Sequence, residues 1–204
     1  MVTPSTLFSL VRHAGLFAVR SALIALTLLA PTVSHASDLS DALRSSEYVL
    51  LIRHAYAPGV GDPANFTLAD CKSQRNLNDE GRNQALRIGT WLKQQGVASA
   101  QVYASPWCRC KDTAELMKFD GFKLEASLAS FFNDMYKAKE SNTKLQHFIA
   151  ERIKTKGQQA LILVTHHVNI YEYMGENIGS GDMVLVKVNA EGGAISHKTI
   201  RRPD

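Results

Sequence analysis

The sequence predicts an α/β fold, a three-layer α/β/α sandwich around a mixed, mostly parallel sheet. Three observations point there. YVLLIR (Tyr48–Arg53) and ALILVT (Ala160–Thr165) are apolar runs of strand length, as strands covered on both faces require. Between and around them lie segments with an apolar stripe at helical spacing. The chain closes on MVLVKV and AISHKTI, two β-rich runs close enough to pair antiparallel. Strands alternating with helices give a largely parallel sheet, and the closing pair makes it mixed.

Each element has a local cause. A short helix is expected near Leu39–Arg44, before the first strand. Ala55 to Arg75 follows as a long polar loop containing APGVGDPAN, without a clear period, and loops of this length often serve a site. NLNDEGRNQALRIGTWLKQQG reads as a helix. Asn78 is placed to cap it, Ala85, Ile88, Trp91 and Leu92 form its buried stripe, and Gly96 ends it. Val102–Ser105 is a short strand running into the helix PWCRCKDTAELM, with Ser105 as cap and Pro106 in the first turn. Phe122–Ala126 reads as a short strand. Asn142–Thr155 is helical, with Leu145, Phe148, Ile149 and Ile153 on one face. Another short helix starts near Val168.

Residues 1–36 stand apart. They hold Arg12 and Arg20 and no acid, then the apolar run Ser21–Ala30, then PTVSHA with small residues at Ser34 and Ala36. That order is expected of a signal peptide, leaving one domain over 37–204 and a periplasmic or secreted protein; an uncleaved anchor is the alternative. Loss of the two arginines lowers the net charge from +4 to +2. So small an excess, without basic runs interleaved with aromatics, speaks against nucleic acid as a partner. No stable membrane insertion is expected after cleavage. Of the three cysteines, Cys108 and Cys110 would face different sides of a helix. Cys71 with either of them is the plausible bridge in an oxidising compartment, and three reduced thiols the alternative.

The residues suited to chemistry cluster where strands end. Arg53 and His54 end the first strand, Arg109 lies in the first turns of the helix after VYAS, and His166 ends ALILVT. Ligands of open α/β sheets bind at the carboxyl ends of strands, where helix N-termini add positive potential. Two arginines and two histidines there make an anion site, and phosphate is its natural guest. In order, LIRHAYAPG, LNDEGRNQA, ASPWCRCKDTA and LILVTH resemble the motifs of the histidine phosphatase superfamily, the relatives of phosphoglycerate mutase. Ala55 stands in the place of the family's glycine after Arg-His.

The resemblance implies a phosphoglycerate mutase-like fold and a phosphatase that hydrolyses a phosphomonoester through a phosphohistidine on His54, without a cofactor or metal. Arg53, Arg109 and His166 would hold the phosphoryl oxygens, and adjacent cations should keep His54 neutral. A mid-chain acid should protonate the leaving oxygen. Asp134 is the first candidate and Glu125 the second, although the family's own glutamate motif is missing. Arg75 is a further candidate for substrate contact. His167 either lines the pocket or, more simply, is a packed or solvated histidine; Asn169 is an orienting group or a cap; Gly179–Asp182 either covers the phosphate through backbone N–H groups or, more simply, is a turn; His147 and His197 are structural. The substrate would be a small molecule or a glycan; a looser likeness to the periplasmic phosphatase acting on lipopolysaccharide core heptose phosphate adds that class. A non-catalytic anion-binding module of the same fold is the alternative. A zinc hydrolase on His54, His166 and His167 fits no common ligand spacing.

Overall fold

The apolar runs YVLLIR and ALILVT lie side by side in the middle of one sheet. The structure, a computed structural model, describes residues 38–204, so the signal-peptide expectation falls outside the described residues. In chain order the elements are α1 (Asp38–Arg44), β1 (Tyr48–Arg53), α2 (Asp79–Gln94), β2 (Ala100–Ala104), α3 (Cys108–Leu116), β3 (Lys123–Leu124), α4 (Ala138–Thr155), β4 (Ala160–Thr165), α5 (His167–Met174), β5 (Met183–Val188) and β6 (Ala194–Ile200). The strand order is β3-β2-β4-β1-β5-β6. β1 to β4 run parallel, β5 joins β1 antiparallel, and β6 pairs antiparallel with β5.

The alternation of side chains along the central strands divides the core in two. Leu50, Ile52, Ile162 and Val164 face α1, α2 and α3, through Leu43, Ile88, Leu92, Cys110 and Ala114. Val49, Leu51, Leu161 and Leu163 face α4 and α5, through Leu145, Ile149, Ile153 and Ile170. Covered on both faces, the strands have no polar side to show, which is why they read as unbroken apolar runs. Asn78 caps α2 as expected, its side chain accepting from the Gly81 amide. Gly81 and Gly89 let α2 approach its neighbours. A Cβ on Gly81 would lie 1.9 Å from the Tyr56 carbonyl oxygen, and one on Gly89 2.1 Å from that of Met117.

Several expected boundaries move, each for a local reason. β3 is only Lys123–Leu124 because it is an edge strand paired to β2 alone, and the chain then turns at Glu125, whose carboxylate accepts from the Ser127 amide. α4 starts at Ala138 rather than Asn142; its first turn carries no apolar stripe and is stapled instead by Glu140 and Lys144. α5 starts at His167, with His166 still extended. α3 starts at Cys108 after Trp107, and Ser105 is not its cap. No described helix is long and apolar enough to cross a membrane.

A disulfide joins Cys71 to Cys108, and Cys110 remains a buried thiol. The bridge pins the 55–75 loop to the start of α3 and closes a separation of 37 residues. A loop of that size restrains the unfolded chain by about 4 kcal/mol. The Cys71→Ser/Cys108→Ser double variant should lose most of that in urea unfolding under oxidising conditions. Equal stability of the two proteins would show that the bridge is thermodynamically idle.

Candidate active site

The pairing of parallel strands brings the chemistry together. Arg53 pairs in register with Thr165, so β1 and β4 end at the same rim and the next residues, His54 and His166, meet there. The His54 amide donates to the Thr165 carbonyl at 3.0 Å, and the two imidazole centres are 5.5 Å apart. On the other side of β4, β2 ends just before Ser105, whose amide donates to the Val164 carbonyl at 2.9 Å. From there α3 carries Arg109 back over the rim. Thr113, one turn further, ties the helix to the His54 segment: its hydroxyl donates to the Arg109 carbonyl at 2.7 Å and accepts from the Ala55 amide at 3.0 Å.

A cavity opens at this rim, lined among others by Arg53, His54, Asp62, Arg75, Arg109 and His166. Among the described residues, its charged lining groups are the three arginines and the carboxylate of Asp62. His54 is 2% exposed. Its Nδ1 lies 2.8 Å from the Ala55 carbonyl oxygen, which can only accept, so Nδ1 carries the hydrogen and Nε2 the lone pair. Burial first, then the charges of Arg109, Arg75 and Arg53, hold its pKa well below 6.5, and the ring is neutral. His166 is held low for the same leading reason, with His54 and the arginines adding to it. Its Nδ1 faces Arg109 Nη2 at 3.3 Å and accepts there, which leaves Nε2–H to donate to the Ser105 hydroxyl at 2.8 Å. The serine read as a helix cap is thus the partner of His166.

Arg53 donates through Nη1 to the Ile178 carbonyl at 2.7 Å. The Nε–H groups of Arg53 and Arg109 are buried without a hydrogen-bond partner among the described residues. Arg75 lines the cavity and donates to the loop through Nε, to the Gly61 carbonyl at 2.8 Å, and through Nη1, to that of Ala57. His167 also lines the cavity, with Nε2 2.6 Å from Asn177 Oδ1. Asn169 donates to the Ala129 carbonyl at 2.9 Å. The Gly179–Asp182 stretch forms a turn whose Gly181 amide donates to the Arg53 and His54 carbonyls, so it braces that segment from outside the cavity. His197 pairs with Glu176 at 2.8 Å on the surface.

The expected acids are not at the cavity. The Asp134 side chain is 44% exposed and pairs with Lys137 at 3.0 Å. Glu125 is occupied with the Ser127 amide. Chain distance beyond Arg109 suggested Asp134, but its segment turns to the surface in a short 3₁₀ turn over Met135–Lys137. The carboxylate that does reach the cavity is Asp62, overlooked in the loop after His54. Its signal was there to read: it is one of two acids between Ala55 and Arg75, in the Gly-Asp-Pro step nearest the strand end. Among the described residues, no group of three or more His, Cys, Asp or Glu side chains is arranged to hold a metal ion.

The model of the histidine phosphatase superfamily (branch 1) matches residues 49–136. No curated protein matches the chain in sequence. Among solved structures, the phosphoserine phosphatase of Entamoeba histolytica, in complex with 3-phosphoglyceric acid, is similar with TM-score 0.56 at 14% identity, over 76% of this chain and 97% of that one. The mycobacterial glucosyl-3-phosphoglycerate phosphatase in complex with VO3 gives 0.54 at 13%, over 76% and 98%. The protein histidine phosphatase SixA, complexed with tungstate, gives 0.52 at 18%, over 76% and 96%. The chain therefore has the α/β fold of the histidine phosphatases, and the matched stretch holds both His54 and Arg109.

Proposed function

We propose that the protein is a histidine phosphatase that hydrolyses a phosphomonoester through a phosphohistidine on His54. The observation that carries this is the state of His54: a buried, neutral imidazole with its lone pair on Nε2, in a cavity lined by three arginines and one carboxylate. An excess of two positive charges matches a phosphoryl dianion, and a neutral imidazole is the nucleophilic form. Nε2 attacks phosphorus, a P–N bond forms and the bond to the ester oxygen breaks. The leaving oxygen takes a proton from solvent and departs as an alcohol. Water then attacks phosphorus, the P–N bond breaks, and orthophosphate leaves with His54 restored.

Arg53 and Arg109 bring their unpaired Nε–H groups to the phosphoryl oxygens, where charge spreads in the transition state. His166 accepts from Arg109 Nη2 through Nδ1 at 3.3 Å and so holds that guanidinium beside the phosphoryl group. At the mouth, Val60 is 89% exposed and Phe132 49%, an apolar lip suited to the face of a sugar or an aromatic leaving group. The three solved relatives with this fold named above are phosphatases by name, two of them with oxyanions bound, which supports the reading. The Cys71–Cys108 bridge supports work outside the cytoplasm, in an oxidising compartment.

Purified protein should release orthophosphate from p-nitrophenyl phosphate without added metal and, on rapid acid-free quench, carry a phosphoryl group labile to acid and stable to base. A phosphate-release screen over sugar, nucleotide and inositol phosphates then ranks substrates. A protein that binds orthophosphate yet turns over none of these is an anion-binding module, and the catalytic reading fails.

A further inference from the structure

We propose that Asp62 is a positioning residue, whose carboxylate holds the Arg109 guanidinium in the orientation that phosphoryl transfer needs. The proposal rests on the phosphatase reading above. Asp62 and Arg109 lie 47 residues apart in the chain and meet with side chains 6% and 4% exposed. Both carboxylate oxygens accept from Arg109 Nη1, at 2.8 and 3.1 Å. Oδ1 also accepts from the Arg75 amide at 3.0 Å, and Oδ2 from Trp107 Nε1 at 3.1 Å. Three donor groups, one from the loop and two from the start of α3, thus fix the carboxylate, and it cannot turn without stranding a buried N–H.

A guanidinium is planar and rigid, so holding one nitrogen orients the other two. With Nη1 on Asp62, Nη2 faces His166 Nδ1 at 3.3 Å and Nε–H is left without a protein partner among the described residues. The Trp107 ring, held by the same carboxylate, packs edge-on against the His166 imidazole at 5.3 Å between centres. Asp62 therefore governs the direction of the arginine fork and one wall beside the second histidine. Its loop is itself moulded on the Arg75 side chain through the Gly61 and Ala57 carbonyls. This gives Arg75 a place in the same assembly.

Charge and direction have opposite consequences, and that makes the role testable. Asp62 cancels one of the three arginine charges at the cavity. Removing its charge makes the cavity more positive, so ground-state binding of an anion does not weaken. Removing its grip lets the fork swing, so the stabilisation realised in the transition state is lost. A residue needed for folding alone would produce no such split.

The experiment compares wild type, Asp62→Asn and Asp62→Glu in p-nitrophenyl phosphate turnover, normalised to active sites counted from the phosphoenzyme burst, and in competitive inhibition by orthophosphate. Misplacing a reacting group by about 1 Å costs on the order of 10²-fold, so kcat of Asp62→Asn should fall by about that factor while its orthophosphate Ki stays level or drops. Asp62→Glu keeps the charge but displaces it by a methylene, so its kcat should fall with Ki unchanged. An Asp62→Asn kcat within about threefold of wild type, or a kcat loss matched by equally weaker orthophosphate binding, overturns the role. A wild type without turnover overturns the phosphatase reading, and this proposal with it.

Discussion

His54→Ala is expected to lower turnover by at least about 10⁴-fold and to abolish the acid-labile phosphoenzyme, because it removes the atom that bonds to phosphorus. The fold should survive, since alanine leaves the neighbouring Thr165 and Ala55 backbone hydrogen bonds in place. A variant within about tenfold of wild type would remove His54 from the chemistry. The same residue sets a pH signature. Burial and three arginines keep His54 neutral below pH 6.5, so the nucleophile is not lost as pH falls through that value. The acid limb of kcat/KM should instead follow the second ionisation of the phosphate ester, near about 6. Stability behaves differently. His54 and His166 have folded pKa values below 6.5, so below that pH the unfolded chain binds protons that the folded state excludes. Stability therefore falls as pH drops through 6.5 toward the depressed values. His54→Ala removes one of these groups and should flatten the slope, which unfolding by urea at pH 7.5, 6.5 and 5.5 measures directly.

The parts of this site legible in the sequence are those tied to strand ends. Apolar runs set the strands, parallel strands place their carboxyl ends on one rim, and so Arg53, His54 and His166 could be gathered from spacing alone. Arg109 followed because α3 starts where β2 stops. What spacing could not give is contact through space between a loop and a helix. Asp62 reaches Arg109 from a loop whose Ala57 and Gly61 carbonyls are tied to the Arg75 side chain. Ser105 stands where a helix cap would, and only the neighbouring β4 shows that its hydroxyl serves His166. Cys71 could have paired with either cysteine of α3; the side of the helix facing the loop is that of Cys108, while Cys110 points into the core against Thr165. Asp134 lies away from the cavity for the converse reason, since an exposed turn carries no periodic signal of where its side chains face.

Arg109→Ala should combine two losses with separate causes. Turnover should fall by roughly 10²–10³-fold, the usual effect of removing one donor to developing oxyanion charge. Stability should fall by about 3–5 kcal/mol, because the truncation leaves the Asp62 carboxylate buried and without its cation. For a domain of this size that is a drop in Tm of roughly 10 °C. The two losses can be separated by adding Asp62→Asn. The amide has no charge to strand and keeps an oxygen for the Arg75 N–H, so the double variant should be more stable than Arg109→Ala alone while remaining equally inactive. Such non-additivity is expected only for groups that share one interaction. If the second substitution instead lowers Tm further by its own separate increment, the pair is not coupled in the folded protein, and the buried ion pair at the cavity wall is not what holds Arg109 in place.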